Sequence, residues 1–354
     1  MRILHLAAND GIGLVKQQFE RLVGALQARG MDQNALLTLP PAGGAGVRSL
    51  GIEERQIEFP GRFRFLDRRA VNGEVRKTAP DIVMSWWPGM GHLVENGGPT
   101  HIGRLARNFD IALMTDCEHL LAPCRARADR ALAAGWSAGR VHVVPPLVGP
   151  DAIAAGQQTL SKVVDRKNYY TPSTTKLVVT AAEFDDDCGV DVLIKAIARL
   201  SGFYLWIAGD GPARAYLEEQ AHELGVKPRV RFLGWQDDLR PFLAVADMFV
   251  SAGAQDDTGE FVLEAWSSGI PVIAADGLGP GLLIGQQENG VLVPVGDAIN
   301  MAEAVKWLSR DAVAARRLGE AGARAFTENW TLDKVLPQYV ALFEQVARHP
   351  ATAS

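Results

Sequence analysis

Cysteine is scarce in this sequence of 354 residues, which contains three, Cys117, Cys124 and Cys188, and no CxxC pair. An odd number of scattered thiols predicts neither a disulfide framework nor a zinc site. Long apolar runs are missing as well. No apolar stretch reaches the roughly 18 residues that a membrane-spanning helix requires. The apolar stretch in the opening MRILHLAAND is also too short for that of a signal peptide. We therefore expect a soluble cytoplasmic protein with reduced thiols.

An excess of positive charge is also missing, because 36 Lys and Arg stand against 41 Asp and Glu and the isoelectric point is about 5.9. With no basic stripe interleaved with aromatics, a nucleic-acid-binding protein is not expected. The charge is nevertheless uneven, since positions 62–77 contain Arg62, Arg64, Arg68, Arg69, Arg76 and Lys77. Such a segment favours an anionic lipid surface or an anionic acceptor molecule, although a solvated helix face explains it as well.

The length predicts two domains, at about 100–200 residues each. In the first half, apolar stretches typical of strands (MRILHLAA, NALLTL, DIVMSW, DIALM and VHVVP) alternate with helical patterns such as VKQQFERLVGALQARG. Strands that alternate with helices form a mostly parallel sheet covered on both faces. We expect residues 1–150 to form a doubly wound, Rossmann-like α/β domain.

A polar, turn-rich stretch at residues 151–175 predicts a linker. The alternation then resumes through KLVVTAA, FYLWIAG, VRFLG, MFVSA, PVIAA and GVLVP, so residues 176–330 are predicted to form a second Rossmann-like domain. The last helical stretch, at 331–348, has a wide apolar face that must pack on another part of the molecule.

The turns after the strands of the second domain are the candidate sites, because ligands of open α/β sheets bind beyond the carboxyl ends of the strands. The turn around Gly209 and Gly211 either opens a helix whose first amides face an anion or is a plain turn. The turn Leu233-Gly234-Trp235 offers a glycine that permits close approach of a flat ligand. Its indole either stacks on that ligand or is buried in the core.

The turn after MFVSA carries two carboxylates, Asp256 in the loop and Glu264 eight positions later in the following helix. Free amides at the helix start can hold phosphate or sugar oxygens, and carboxylates accept hydrogen bonds from hydroxyl groups. Helix-capping acids explain the pair about as well. A further glycine-rich loop, at 276–281, either approaches a ligand closely or is a flexible connection.

These segments resemble the donor domain of retaining glycosyltransferases of family four, which have the two-domain GT-B fold. The resemblance over about residues 176–300 lies in GDGPARAYLEEQAHELGVKPRVRFLGW, ADMFVSA, GEFVLEAWSSGIPVIAAD and ENGVLVPVGD, in the family's order. The first half resembles the family more weakly, through MRILHLA, PDIVMSW, THIGRL and GWSAGRVHVVPPLV. These stretches are similar to members that act on bacterial envelope polysaccharides.

The resemblance implies two Rossmann-like domains facing a central cleft, with the last helix returning to the first domain. It also implies a nucleotide-diphosphate-sugar donor on the second domain and a glycan or lipid-linked acceptor on the first. The sugar is then transferred with retained anomeric configuration, in the cytoplasm or at the inner face of the membrane. By the same resemblance Asp256 faces the donor sugar, Glu264 faces the ribose, and His101 lines the sugar site. The other donor-binding positions are Gly209, Gly211, Leu233, Gly234, Trp235, Gly259 and Glu260.

One motif departs from the family pattern G-R-L-x-x-x-K-G, in which Arg and Lys hold the pyrophosphate. Here Glu183 replaces the arginine and Cys188 replaces the lysine. A unit charge about 5 Å from a phosphate is worth roughly 3 kcal/mol at an effective dielectric of about 20, so reversing its sign costs about twice that before screening. A milder departure is Asp256, where the family has Glu, because the carboxylate shifts by more than about 1 Å.

Three acidic residues lie between the two changed positions: Asp185, Asp186 and Asp187. They favour either a bound Mg²⁺ that bridges to the phosphates or a solvated acidic turn that caps the next helix. Members of the family generally need no metal, so the simpler expectation is that no metal or other cofactor is used.

Three functions are compatible with the sequence. The first, which we expect, is a glycosyltransferase of envelope polysaccharide or lipopolysaccharide synthesis. The second is a non-catalytic GT-B relative that binds a glycan or a partner enzyme, and the third is a GT-B enzyme such as a sugar-nucleotide epimerase. A dinucleotide dehydrogenase is disfavoured, because Gly11 and Gly13 supply only a fragment of G-x-G-x-x-G.

Overall fold

The chain forms two compact units. The computed structural model describes residues 1–8, 13–38, 50–57, 64–87, 92–106, 111–152, 164–254, 256 and 258–348. Unit 1 comprises Met1–Leu147, Asp151–Thr159 and Leu332–Ser354, and unit 2 comprises Val148–Pro150 and Leu160–Thr331. Within the described ranges, every helix is either too short or too polar to span a bilayer.

Unit 1 is built on seven parallel strands in the order β3-β2-β1-β4-β5-β6-β7. The strands are β1 (Arg2–Ala8), β2 (Asp32–Thr38), β3 (Glu53–Ile57), β4 (Ile82–Ser85), β5 (Thr100–Arg104), β6 (His119–Ala122) and β7 (Val141–Val143). The connecting helices are α1 (Leu14–Ala28), α2 (Arg64–Thr78) and α3 (Arg125–Ala133). Every residue of β4, β5 and β6 is buried, as expected of a parallel sheet covered on both faces.

The strand predicted at DIALM is wrong, because Ile111–Met114 form a 3-10 turn. Strands β5 and β6, which flank this turn and pair directly, were not predicted, nor was β3. A 3-10 turn repeats every three residues, so Ile111 and Met114 share one side and pack against the apolar cluster that contains Leu105 and Leu120. A short apolar run thus fills the core without joining the sheet.

Unit 2 is built on six parallel strands in the order β10-β9-β8-β11-β12-β13, and all six strands predicted for it are confirmed. They are β8 (Lys176–Glu183), β9 (Phe203–Asp210), β10 (Val230–Gly234), β11 (Met248–Ser251), β12 (Val272–Ala275) and β13 (Val291–Val293). The helices are α4 (Val190–Ala198), α5 (Arg214–Glu223), α6 (Arg240–Leu243), α7 (Glu260–Ser267), α8 (Pro280–Leu283), α9 (Ala298–Arg310) and α10 (Ala312–Asn329).

The sequence analysis missed α9 and α10, each of which begins after a capping aspartate. The side chain of Asp297 accepts hydrogen bonds from the backbone N–H groups of Ile299 and Asn300, and that of Asp311 accepts one from Ala314. Hydrogen bonding from the Asn300 N–H holds the pKa of Asp297 below its usual range. An aspartate just before an amphipathic stretch is the sequence signal that could have revealed both helices.

The second half of the predicted linker, from residue 164 onward, packs on unit 2. The guanidinium of Arg166 donates to the carbonyl oxygen of Val245 at 2.8 Å. The indole N–H of Trp206, on β9, donates to the hydroxyl of Thr171 at 2.9 Å. Residues 153–163 of the predicted linker lie outside the described residues.

The last helix, α11 (Leu332–Arg348), contributes to the core of unit 1. Its buried residues Val335, Leu336, Tyr339 and Phe343 share one apolar cluster with strand residues and with α1. The Tyr339 hydroxyl also donates to the carbonyl oxygen of Pro145 at 3.0 Å. The apolar face that the sequence predicts for this helix is therefore covered by the sheet and helices of unit 1.

Three buried histidines make unit 1 sensitive to acid. Burial lowers the pKa values of His5, His101 and His119 from 6.5 to about 4. Between these two values the unfolded chain binds more protons than the folded chain, so stability is complete above pH 6.5 and is lost progressively as the pH falls toward 4. At 1.36 kcal/mol per pKa unit, His5 and His101 each account for about 3 kcal/mol of this dependence, and His119, which solvent screens in part, accounts for less.

We expect the thermal unfolding midpoint of unit 1 to fall by about 5 °C or more between pH 7.5 and pH 5, as measured by calorimetry. His5→Gln should reduce this fall, because the ring of His5 is held neutral: its Nδ1 accepts from the Trp86 indole at 3.2 Å and its Nε2 faces Gln33 at 3.1 Å. The control is His222→Gln, at an exposed position on α5. An equal pH dependence in both variants would contradict the assignment.

Candidate functional site

The strand order of unit 2 creates a topological switch point between β8 and β11. Strands β9 and β10 lie on one side of β8, and β12 and β13 lie beyond β11 on the other side. The connections that leave β8 and β11 therefore run in opposite directions, which opens a crevice at the carboxyl ends of the strands, where ligands bind in such sheets. The candidate site is thus formed by residues 183–189, 252–254, 256, 258 and 259.

The two loops touch through glycine. Gly189, the residue before α4, has a φ of +70°, and a Cβ added to it would overlap the carbonyl oxygen of Ala252. A Cβ on Gly253 would lie 3.2 Å from the carbonyl oxygen of Cys188. Glycine accepts both the positive φ and the close approach at position 189. The segment with the changed phosphate motif therefore lies against the loop that leads to Asp256.

A second pair of glycines packs the loop after β9 against the loop after β8. Gly209 and Gly211 have φ values of +150° and +148°, and a Cβ on Gly211 would lie 2.6 Å from the carbonyl oxygen of Phe184. The Phe184 N–H donates to the carbonyl oxygen of Asp210 at 2.9 Å, and the Ala213 N–H donates to that of Phe184 at 3.0 Å. The absence of a Cβ at these two positions thus lets the end of β9 lie against Ala182 and Phe184.

Asp256 caps the turn that leads into α7. Its Oδ1 accepts a hydrogen bond from the Gly259 N–H at 2.7 Å, and its carbonyl oxygen accepts one from the Gly279 N–H at 2.8 Å. Gly259 has a φ of +63°, and a Cβ added to it would overlap the side chain of Leu283. The hydrogen bond to Gly259 fixes the Asp256 carboxylate beside the start of the helix, whereas the N-cap residue of α7 is Gly259, which has no side-chain cap.

Glu260 and Glu264 are buried acids on the first two turns of α7, each 2% exposed. Negative charge is favoured at this end of a helix, because the helix dipole is positive there. Carboxylates also accept hydrogen bonds from hydroxyl groups, including those of a sugar or a ribose. The structure thus brings Asp256, Gly259, Glu260 and Glu264 together around one helix start.

The loop after β10 places Trp235 at the edge of the sheet. Trp235 is half-buried, and its indole N–H donates to Asp237 at 3.0 Å. The neighbouring Gly234 has a φ of +74°, and no described atom lies within 4 Å of a Cβ added to it. The side-chain amide of Gln236 donates to the carbonyl oxygen of Leu233 at 2.9 Å. The indole is therefore oriented outside the core, beside an open glycine, where a flat ring can stack on it.

The edge next to the changed motif is acidic. Glu183 is half-buried at the end of β8 and pairs in register with Asp210 of β9, and Asp185, Asp186 and Asp187 follow it. Among the described residues, no three His, Cys, Asp or Glu side chains are grouped so that they could hold a metal ion. The described residues thus offer no three-ligand cluster in this turn, and the choice between a phosphate-bridging Mg²⁺ and a solvated turn before α4 stays a prediction.

Two arginines near this edge already have carboxylate partners. Arg214 contacts Asp210 at 3.2 Å and also Glu218, and Arg240 contacts Asp238 at 2.8 Å. The thiol that replaces the family's lysine, that of Cys188, is buried in the apolar core of unit 2. Neither arginine is thus a ready substitute for the missing cations.

His101 lies in unit 1, at the second position of β5, and is 3% exposed. Its Nε2 is 2.8 Å from the Ser85 hydroxyl and 3.8 Å from the Cys117 sulfur. The carboxyl end of the strand, where ligands of parallel sheets bind, is at Arg104. The assignment of His101 to the sugar site stays a prediction.

Two residues to which the sequence analysis gave no role help to build the site. Phe184 joins the loops after β8 and β9, and its ring meets that of Phe232 edge-on at 6.2 Å between centroids. Gly189 joins the loops after β8 and β11. A glycine directly before an amphipathic helix is a signal that could have identified Gly189, whereas no local signal distinguishes Phe184 from an ordinary core residue.

Two Rossmann-like units, the second with a candidate ligand site at its switch point, are the architecture of the GT-B fold. Solved structures share this fold over nearly the whole chain. Anabaena Alr3699/HepE in complex with UDP and glucose has a TM-score of 0.79 at 17% identity, covering 97% of this chain and 99% of that one. WaaG, a glycosyltransferase involved in lipopolysaccharide biosynthesis, has a TM-score of 0.75 at 17% identity, with the same coverage.

The sequence comparisons identify the family. The profile of the family "Glycosyl transferases group 1" matches residues 162–325. The lipopolysaccharide core biosynthesis glycosyltransferase LpsE of Rhizobium meliloti (strain 1021) is 32% identical over 351 residues, which cover 97% of this chain and 98% of LpsE. The chain therefore belongs to the group 1 glycosyltransferases, and the resemblance of its motifs to a family of GT-B glycosyltransferases is confirmed.

The close contact at Gly189 predicts that a single added methyl group strongly lowers the stability of unit 2. Gly189→Ala combines an unfavourable φ with overlap onto the Ala252 carbonyl, so we expect it to lower the free energy of unfolding of unit 2 by about 3 kcal/mol or more, measured by urea denaturation.

The matched control is Gly225→Ala. Gly225 has a φ of +68°, but no described atom lies within 4 Å of an added Cβ, so this variant should lose only about 1 kcal/mol. Equal losses in the two variants would show that the contact with the β11 loop contributes nothing.

Proposed function

We propose that the protein transfers a hexose from a nucleotide-diphosphate-sugar to a glycan or lipid-linked acceptor in lipopolysaccharide or related polysaccharide synthesis, with retention of anomeric configuration. Family membership supports the transferase activity, and the name of LpsE supports the pathway. The observation that carries the proposal is the contact of the loops after β8 and β11, from which α4 and α7 both begin.

The diphosphate is held mainly by backbone in this proposal. The first turns of α4 and α7 each present free N–H groups and the positive end of a helix dipole. The carboxylates of Glu183 and of the acidic turn after it repel the phosphates. The helix starts therefore supply the attraction that Arg and Lys supply in the family pattern. The donor is accordingly expected to bind more weakly than it does with that pattern.

The rest of the donor is assigned to the side chains around these helix starts. Asp256 accepts from hydroxyl groups of the sugar and Glu264 from those of the ribose, while Trp235 stacks on the base. His101 is assigned to the sugar site by resemblance alone.

Replacing Glu183 tests the electrostatic part of this proposal. We expect affinity for the preferred sugar nucleotide to rise in the order wild type, Glu183→Gln, Glu183→Arg, with at least about a tenfold gain for Glu183→Arg after solvent screening. Calorimetric titration of the three proteins with UDP-, GDP- and ADP-sugars measures this affinity. Cys188→Lys is less informative, because it would bury an ammonium group in the core.

Glu223→Arg, which makes the same charge change at an exposed position at the end of α5, is the control and should leave affinity unchanged. If neither the wild type nor Glu183→Arg binds any of the sugar nucleotides, the donor site and the transferase proposal are both wrong. Binding by Glu183→Arg alone would favour the non-catalytic GT-B relative.

We also assign a membrane contact to α2, at the inner face of the cytoplasmic membrane. Arg68 and Arg69 are exposed and form no ion pair with any residue in the described ranges. Arg76 and Lys77, on the same helix, contact Glu95 and Glu53 at 3.9 and 3.4 Å. The first basic residue of the segment, Arg62, lies outside the described residues. The unpaired arginines are thus the ones assigned to anionic lipid.

Charge reversal of these two arginines tests the contact. At about 1 kcal/mol per basic residue near an anionic surface, Arg68→Glu with Arg69→Glu should weaken binding to phosphatidylglycerol-containing vesicles by at least about thirtyfold in a sedimentation assay. Arg316→Glu with Arg324→Glu, at exposed positions on α10, should bind as the wild type does. Equal binding by all three proteins would remove α2 from the proposal.

A further inference from the structure

A cavity of about 700 Å³ lies at the amino edge of the second sheet. Its wall is formed by residues of α9 and by the segment between α4 and β9, which contains Leu200, Ser201 and Phe203. Cavities of this volume accommodate small organic ligands. Strand β9 begins at Phe203 and reaches the edge of the candidate donor site only at Asp210, which is about 23 Å away at the usual rise per residue. The α4–α9 cavity is therefore distinct from that site.

The charged residues that line the cavity are three cations and one acid: Arg199, Lys306, Arg310 and Glu303. Arg199 and Arg310 are exposed, and neither has an ion-pair partner among the residues that the structure describes. Lys306 contacts Glu303 at 3.3 Å. The lining thus has an excess of positive charge, although unit 2 as a whole has 16 Lys and Arg against 24 Asp and Glu.

Arg199 directly follows α4, where an arginine commonly binds the last carbonyl groups of a helix. Another arginine has this role here. Arg229 donates to the carbonyl oxygen of Ile197 at 3.3 Å, in the last turn of α4. It also donates to the carbonyl oxygens of Leu200 and Phe203, at 2.7 and 3.1 Å. The guanidinium of Arg199 is therefore not needed to cap the helix.

Arg310 is the last residue of α9, and the carbonyl groups at this helix end also have other donors. The hydroxyl of Ser309 donates to the carbonyl oxygen of Lys306 at 2.8 Å. The backbone N–H of Asp311 donates to the carbonyl oxygen of Trp307 at 3.1 Å. Two arginines that line one cavity thus have side chains that neither cap a helix nor pair with a described acid.

The chemistry of the lining matches a phosphate monoester. A guanidinium presents two parallel N–H donors that fit two oxygens of a phosphate, and a phosphate monoester carries a charge of about −1.5 to −2 at pH 7. Leu200 and Ala302 supply an apolar floor, and Ser201 is an exposed hydroxyl beside it. The ring of Phe203 is only 7% exposed, so it offers little surface on which a base could stack. A hydroxylated body fits this lining better than an aromatic one.

We propose that the α4–α9 cavity binds a phosphate monoester of a sugar-sized, hydroxylated metabolite. Arg199 and Arg310 hold the phosphate, and Lys306 joins them when it leaves Glu303. The organic part lies over the apolar floor. The inference goes beyond the proposed function and does not rest on it, because the cavity shares no residue with the candidate donor site.

Calorimetric titration of the full chain with glucose 6-phosphate tests the site, with glucose and inorganic phosphate as comparisons. We expect glucose 6-phosphate to bind at least about tenfold more tightly than glucose, because hydrogen bonds between charged groups are the strong ones. It should also bind more tightly than inorganic phosphate, which lacks the organic part. Arg199→Ala with Arg310→Ala should abolish the preference over glucose. Both side chains are exposed, so this double variant should unfold at the wild-type temperature.

Arg316→Ala with Arg324→Ala is the matched control, because it removes the same charge from exposed positions on α10 that do not line the cavity. It should keep the preference. Equal binding of glucose 6-phosphate and glucose to the wild type, an unchanged preference in the cavity variant, or an equal loss in the control would each overturn the inference. Inorganic phosphate that binds as tightly as glucose 6-phosphate would overturn the assignment of an organic ligand.

Removing the acid of the cavity should have the opposite effect. Glu303→Gln releases Lys306 from its contact at 3.3 Å, so we expect affinity for glucose 6-phosphate to rise by at least about threefold. Glu320→Gln, at an exposed position on α10, is the control and should bind as the wild type does. An unchanged or lower affinity in Glu303→Gln would contradict the role of Lys306. The sugar-nucleotide titrations are a separate measurement, so failure of the donor proposal would leave this site standing.

Discussion

The loops after β8, β9 and β11 meet backbone to backbone at the carboxyl edge of the second sheet, and the rest of the site depends on that contact. Gly189, Gly209 and Gly211 make it possible, because each occupies a position where a Cβ would meet a neighbouring carbonyl group. The contact places the start of α4 beside the loop that leads to α7. It also fixes where Asp256, Glu260 and Glu264 stand relative to the acidic turn after β8.

The electrostatic free energies indicate how much attraction for the diphosphate is lost when the two cations of the family pattern are missing. Two cations about 5 Å from a diphosphate would contribute roughly 6 kcal/mol at an effective dielectric of about 20. Two helix N-termini supply about 1 to 2 kcal/mol in total at partly exposed positions. The difference between these two free energies is larger than the stabilisation that one stacked indole or one carboxylate–hydroxyl hydrogen bond provides. Under the proposed function, donor recognition is therefore shared among several contacts on α7 and the β10 loop rather than concentrated on the phosphates.

The sequence was informative where local patterns decide the structure. The six strands of unit 2 and the last helix followed from periodicity, and the motifs located the turns around Gly209, Trp235 and Asp256. The strand prediction failed at DIALM, because Ile111 and Met114 both pack into the core. They are three positions apart, as in a 3-10 turn, whereas side chains on one face of a strand are two positions apart. It also could not reveal that Cys188 is buried, because burial depends on packing with residues far apart in the chain.

The position of α11 has a consequence for the order in which the protein is made. Its residues Val335, Leu336 and Phe343 complete the apolar cluster of unit 1, yet they follow all of unit 2 in the chain. During synthesis on the ribosome, unit 2 can thus fold while unit 1 still lacks a core helix. Most of unit 1 emerges first from the ribosome, but unit 1 is completed last. Until α11 has been made, the surface of unit 1 that it will cover is exposed to chaperones.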